Sequence, residues 1–416
     1  MRIGRIIWPL LAVLALAVSC RDDNFNSQST SGGQDPREPS GRQEVVQTRN
    51  VMIMISGGHN GLSPYLTADL KEMAEGFLPQ GTYQTANVLM ILSRLPVNNF
   101  STTSVPVLYR LYSGPEGEPV RDTVKVWGPD DRLFEPPVLK DALNLVRDLY
   151  PAKSYGVVLS SHASGWLPPG YYENPSNYEK NSLALRSIGQ DKDGNVSVEM
   201  DLVDFVNSIP YRLNYLVLDC CLSGGVEVAW ALRGKTDFVA FTQTETMADG
   251  FDYSAIVHRL LGTETPDPLG VCEDFYNYYM AQSGAMQSAT ISLVEPAKLD
   301  ALASLCAQLF QKYRMSLPVS SVQGYFRFDR HFFYDFRDIL VKAGISDQEE
   351  AALDQALEAC VLYKAATPYF MRGGADGYAI KTHCGLSMYL PTKGTPYLDN
   401  YYKTHIGWND VSHLVE

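Results

Sequence analysis

The stretch Tyr215-Leu-Val-Leu-Asp-Cys-Cys-Leu-Ser-Gly-Gly225 constrains this chain more than any other, because a short apolar run stops at Asp219-Cys220-Cys221 and an amphipathic helix pattern follows. A thiol is thereby placed where a buried strand gives way to a helix. Backbone N–H groups at a helix start favour thiolate over thiol and can hold an oxyanion, as a nucleophilic cysteine requires. A second stretch, Tyr155-Gly-Val-Val-Leu-Ser-Ser-His-Ala-Ser-Gly-Trp166, has the same form, with His162 in its small-residue loop. Neighbouring strand ends of an open α/β sheet face one crevice, so an imidazole and a thiol 59 positions apart can meet there.

The segments around these two stretches predict the sheet. Val51-Met-Ile-Met-Ile55 reads as a strand covered on both faces, and Ser63-Pro64 opens a helix with Leu66, Leu70 and Met73 on one side. A strand over Thr103 to Ser113, a hairpin partner at Asp122-Thr-Val-Lys-Val-Trp127 and a helix through Leu139, Leu143 and Val146 lead to the His162 strand. Beyond Cys221 come a helix over Val226 to Arg233 and a strand over Asp237 to Thr242, ending at Ala248-Asp249-Gly250. This alternation predicts an α/β fold with a mostly parallel sheet and helices on both faces. The Asp249 carboxylate is a further acidic candidate for the crevice. From Gly262 onward, helical spacing at Leu299, Leu302, Cys306, Leu309 and at Leu353, Leu357, Val361 predicts a helix-rich part packed on the sheet.

Residues 1–19 hold two arginines, an apolar run and small residues before Cys20, which reads as a secretory signal. Ala17-Val18-Ser19-Cys20 resembles the bacterial lipobox, which implies lipidation at Cys20, and Arg21-Asp22-Asp23 resembles the acidic tag of outer-face lipoproteins. The expected localisation is the outer membrane, facing the exterior. Residues 20–48 are polar and proline-bearing and predict a disordered spacer, followed by a catalytic core over 49–261 and the helix-rich region over 262–416. Loss of Arg2 and Arg5 with the signal takes the formal charge from −13 to −15, and the absence of basic runs argues against nucleic acid as a partner.

Seven cysteines without a close CxxC pair favour neither zinc nor a disulfide framework. Residues 167–195 read as a long exposed loop, rich in Pro, Gly, Asn and Tyr. Within it, Asp191-Lys-Asp-Gly-Asn195 has only a superficial likeness to a calcium loop, without the glutamate at its twelfth position, and reads as a turn. His59, at the end of the first strand, reads as a loop residue.

Asp219-Cys220-Cys221-Leu222 followed by Val226-Glu-Val-Ala229 resembles the Asp-Ala-Cys-Leu…Val-Glu-Val-Ala signature of the clostripain family of cysteine peptidases, and His162-Ala-Ser-Gly-Trp166 is similar to that family's His-Gly-x-Gly-Trp. Ala248-Asp249-Gly250, Gly385-Leu-Ser-Met-Tyr-Leu-Pro391 and Gly407-Trp408 follow in family order, so the likeness spans residues 49–416. It implies a caspase-like three-layer αβα sandwich, with Cys221 as nucleophile, His162 as general base and acid, and an oxyanion hole from the N–H groups of Cys221 and Ala163. Cys220 takes the place of the signature's alanine, and its side chain is expected to pack. The family's P1 carboxylates fall on Asp219 and Asp249, implying protein or peptide substrates with Arg or Lys at P1. By the same likeness, self-processing would fall between His162 and Cys221, where Lys180 and Arg186 are basic. No cofactor is implied beyond calcium, whose requirement the sequence leaves open. Ala163 stands where the family has glycine, and it is the residue that supports the competing reading, a surface binding protein that keeps the pocket without turnover.

Overall fold

The structure, a computed structural model, describes residues 46–57, 60–81, 86–94, 105–168, 171, 188–193, 196–318, 321–327 and 331–416. The described residues form one compact unit. Its centre is a nine-stranded sheet. In chain order the strands are β1 (Val46–Ser56), β2 (Val88–Ser93), β3 (Val107–Ser113), β4 (Pro119–Val126), β5 (Ala152–Ser160), a separate hairpin of β6 (Ile188–Asp193) and β7 (Val196–Met200), then β8 (Leu213–Asp219), β9 (Thr236–Phe241), β10 (Thr290–Val294), the short β11 (Tyr334–Asp335) and β12 (Val361–Ala366). Across the sheet the order is β12-β10-β9-β8-β5-β1-β2-β3-β4. The five central strands, β9 through β2, run parallel, and two antiparallel strands flank them on each side.

Period-two alternation sorts the side chains of each central strand into two cores. Met52, Met54, Val158, Tyr215 and Val217 face one side, where α1 (Ser63–Glu75) and the helices Tyr253–Leu261 and Pro268–Met280 cover them. Val51, Ile53, Ile55, Val157, Leu159, Leu216 and Leu218 face the other, under helices Pro136–Leu149, Leu202–Ser208, Val226–Ala231 and Leu299–Tyr313. The result is the expected three-layer sandwich.

Two expectations change. β10 and β12 lie beyond residue 261, in the part read as helix-rich and packed on the sheet, yet both are strands of the sheet itself. Leu293 and Val294 bury β10 there, and β12 is held by its pairing with β10. The segment read as exposed loop ends in β6, the first strand of the β6–β7 hairpin, in which Ile188, Gln190 and Asp191 are buried. Asp191 is held by Arg94 at 2.6 Å and by the backbone N–H of Leu133 at 3.0 Å. A buried ion pair from a distant strand end therefore overrides the loop-like composition around it. His59, Lys180 and Arg186 lie outside the described residues.

Candidate active site

Strand register brings the site together before any side chain is considered. Ser56 pairs with Ser160, and Ser160 pairs with Asp219, so β1, β5 and β8 end at one level. The Gly57 N–H donates to Ser160 O (2.8 Å) and the Ser161 N–H to Asp219 O (3.3 Å), which ties the three loops just past the strands. A cleft of about 340 Å³ opens there, lined by His162 and Ala163 from the β5 loop and by Asp219 and Cys221 from the β8 end. A crevice at the carboxyl ends of parallel strands is where an open α/β sheet takes its ligands.

The two adjacent cysteines part company because the strand alternation runs on past Asp219. Cys220 continues the Leu216–Leu218 face, is buried in that core, and lies 3.5 Å from Leu159 O. Cys221 is half-buried and lines the cleft, with the Thr246 N–H donating to its Sγ at 3.3 Å. Cys272, Cys306, Cys360 and Cys384 are buried and free.

One expectation fails at this point. The helix after Cys221 begins at Val226 with Gly225 as its N-cap, and the Leu222 and Gly224 N–H groups are taken by the carbonyls of Thr244 and Thr242. No helix start sits behind the thiol. Burial, and then the nearby Glu245 carboxylate, push the Cys221 thiol up to about 12, against the Thr246 N–H and Arg327, which act downward. Arg327 pairs with Glu245 at 2.5 Å on the wall of the same cleft. Neither residue carries a sequence signal that marks it for the site.

The histidine loop is shaped by its contact with the cysteine loop. Gly165 has φ +64°, and a Cβ there would stand 2.5 Å from Leu222 O, so only glycine fits. Leu222 itself has φ +58°, a costly conformation for a branched residue, held by its buried side chain and its N–H bond to Thr244. Ala163 is not among the positive-φ residues, so alanine in place of glycine carries no left-handed strain. The Ala163 and Cys221 N–H groups donate to no backbone carbonyl among the described residues.

Charge in the cleft is negative and concentrated on one side. Asp219 is 6 % exposed, and its Oδ2 accepts from Tyr253 OH at 2.7 Å and Ser160 Oγ at 3.2 Å. Burial pushes its carboxyl up to about 6, against these bonds and one from the Phe251 backbone. Asp249 is exposed and not part of the lining, although its charge reaches Asp69 and Glu72. Asp69, on α1, does line the cleft and is 5 % exposed. The sequence reading missed it. Its signal was a carboxylate inside the apolar stripe Leu66, Leu70, Met73, at the spacing of a core position.

A family model for the clostripain family matches residues 55–403. The chain belongs to the clostripain family. Its fold matches solved structures of C11 proteases: an inactive zymogen from Parabacteroides distasonis, at 26 % identity over 89 % of this chain and 99 % of that one, TM-score 0.72, and a secreted cysteine protease from Bacteroides thetaiotaomicron in complex with an irreversible peptide inhibitor, at 24 % identity over 88 % and 99 %, TM-score 0.72. Among curated proteins none matches. This clostripain-family chain is thus a cysteine peptidase with the caspase-like fold.

Other family-motif residues build the frame around the site. Glu227, from Val-Glu-Val-Ala, is buried and accepts from the Tyr389 N–H (2.8 Å) and Tyr402 OH (2.9 Å), while Trp166 packs edge-on against both tyrosine rings. Trp408 closes the helix Val226–Ala231 through Trp230. As to calcium, the Asp191 carboxylate has both oxygens engaged by Arg94 and Leu133, which does not fit a cation. Among the described residues no group of three or more His, Cys, Asp and Glu could hold a metal ion.

Proposed function

We propose that this peptidase is an endopeptidase cutting after Arg or Lys, with Cys221 as nucleophile and His162 as general base and acid. The observation that carries the reading is the one cleft lined by Cys221, His162 and the buried carboxylate of Asp219. His162 takes the thiol proton, and the Cys221 sulfur attacks the substrate carbonyl to give a tetrahedral oxyanion facing the N–H groups of Cys221 and Ala163. Collapse of that intermediate breaks the C–N bond as His162 protonates the leaving amine, and a thioester remains. Water, deprotonated by His162, then hydrolyses the thioester and restores the thiol. A cationic P1 side chain suits the negative cleft, since a buried charge needs a charged partner. Ala163 carries no left-handed strain, which supports turnover over a pocket that only binds.

We also propose that Cys20 carries a lipid anchor and holds the enzyme at the outer membrane; among the described residues no helix is long and apolar enough to cross a membrane. The test of the catalytic reading is turnover of arginyl, lysyl, aspartyl and leucyl reporter peptides by the parent, Cys221→Ala, His162→Ala and Cys220→Ala. Activity should vanish in the first two variants and persist in the third, whose thiol only packs. Equal loss in both cysteine variants, with folding intact, would show that the wrong thiol is assigned.

A further inference from the structure

Two buried carboxylates line the cleft, and they differ in what already surrounds them. Asp219 spends its acceptors on the protein: Tyr253 OH, Ser160 Oγ and the Phe251 N–H all point at it. A carboxylate has about four lone-pair sites, so little remains for a guest. Asp69 is 5 % exposed, and among the described residues none donates a hydrogen bond to it. It stands on the α1 face with Leu62, Tyr65 and Leu66, all four residues lining the same cleft. Buried carboxylates are normally paired, and one with open acceptors on a cleft wall is short of a donor.

We propose that Asp69 is the carboxylate that meets the cationic P1 side chain directly, with Asp219 fixed behind it as background charge. The inference rests on the basic-P1 reading and deepens it. The guest supplies the N–H donors that Asp69 lacks, and its positive charge favours the ionised form of that carboxyl. Glu72 on the same helix, Asp219, Asp249 and the hydroxyls of Tyr253 and Tyr279 are the titratable groups that interact by charge with Asp69. Burial first, then Asp219, Glu72 and Asp249, push the Asp69 carboxyl up to about 8, so the empty pocket holds it protonated at neutral pH. Entry of the cation therefore expels a proton.

The experiment has two parts on the mature chain. In the first, kcat/KM for arginyl and leucyl reporters is measured from pH 6 to 9 for the parent, Asp69→Asn, Asp219→Asn and Asp249→Asn. The arginyl-to-leucyl ratio should rise with pH in the parent, and in Asp69→Asn it should fall by roughly 30-fold or more and lose that rise. A ratio unchanged in Asp69→Asn but lowered in Asp219→Asn or Asp249→Asn overturns the role of Asp69 and leaves the basic-P1 reading standing. A parent without preference for arginyl over leucyl peptides overturns both. In the second part, acetyl-argininamide is titrated calorimetrically into Cys221→Ala protein in two buffers of different ionisation heat, which needs no turnover. Proton release at pH 7 is expected, with its loss on adding Asp69→Asn; release that persists overturns the proposal. A melting temperature of Asp69→Asn no lower than the parent's at pH 8 shows that the fold is intact.

Discussion

Gly250 is where backbone and the proposed P1 pocket meet, and replacing it should cost far more than its own conformation explains. Its φ is +59°, and a Cβ there would stand 2.5 Å from Asp219 Oδ2. The left-handed conformation costs an alanine about 1 kcal/mol. Ordinary contact needs about 3.5 Å, so the carboxylate must retreat by about an ångström. That oxygen accepts from Tyr253 at 2.7 Å and Ser160 at 3.2 Å, and the retreat breaks at least the shorter bond. A hydrogen bond to a charged group contributes about 1.5–3 kcal/mol, which brings the expected loss to about 2.5–4 kcal/mol. Gly234 supplies the control, since its φ is +82° with nothing within 4 Å of the added carbon. Gly234→Ala should cost only the conformational part, about 1 kcal/mol. Guanidinium unfolding at pH 8, where Asp219 is ionised, measures both variants, and the arginyl-to-leucyl ratio should fall in Gly250→Ala. Equal losses in the two glycine variants would refute the clash, and an intact ratio would detach Asp219 from specificity.

Two more outcomes follow from buried acid and from the amino terminus. Burial pushes the Glu227 carboxyl up to about 7, so the folded chain keeps a proton that the unfolded chain loses near 4.5; stability from this group is full below 4.5 and drains away as pH rises towards 7. Glu227→Gln should flatten that slope, up to about 3 kcal/mol by pH 8, and parallel stability curves for parent and variant from pH 4 to 8 would rule the linkage out. Cys20→Ala should release the protein from membranes with specific activity unchanged, read by fractionation; retention of the unacylated variant would remove the anchor.

The fold was legible where burial writes itself into periodicity. Val51–Ile55 and Tyr215–Leu218 are apolar without interruption because both faces of a central parallel strand are covered. The packing of Cys220 and the cleft position of Cys221 follow from the same alternation. β2 was not assigned, although Val88–Ser93 is buried throughout, and β6 was hidden because its Gly189, Gln190 and Asp191 look like loop. What makes Asp191 a strand residue is Arg94, 97 positions away, and no local pattern reports such a pairing. Asp69 was legible in principle, as a charge in an apolar stripe, whereas Arg327 reaches the cleft only through tertiary structure.

The chemistry of the proposed nucleophile depends on that last fact. A thiol pushed up to about 12 is protonated in the empty cleft at any physiological pH, so the structure does not store a thiolate at rest. With the helix start at Val226, five residues past the cysteine, only the Thr246 N–H and Arg327 favour the charged sulfur, and Glu245 opposes them. Arg327 is itself tied to Glu245, which spends most of its charge on that carboxylate rather than on the thiol. Ionisation must therefore be coupled to a proton acceptor, and His162, facing the same cleft, is the group the proposal assigns to it. A nucleophile that ionises only as its proton is taken is protected from oxidation and stray alkylation while the cleft is empty. On the proposed mechanism, a substrate filling the cleft would shut out water and strengthen the interaction of the sulfur with the imidazole, so that the binding step would also prepare the attack.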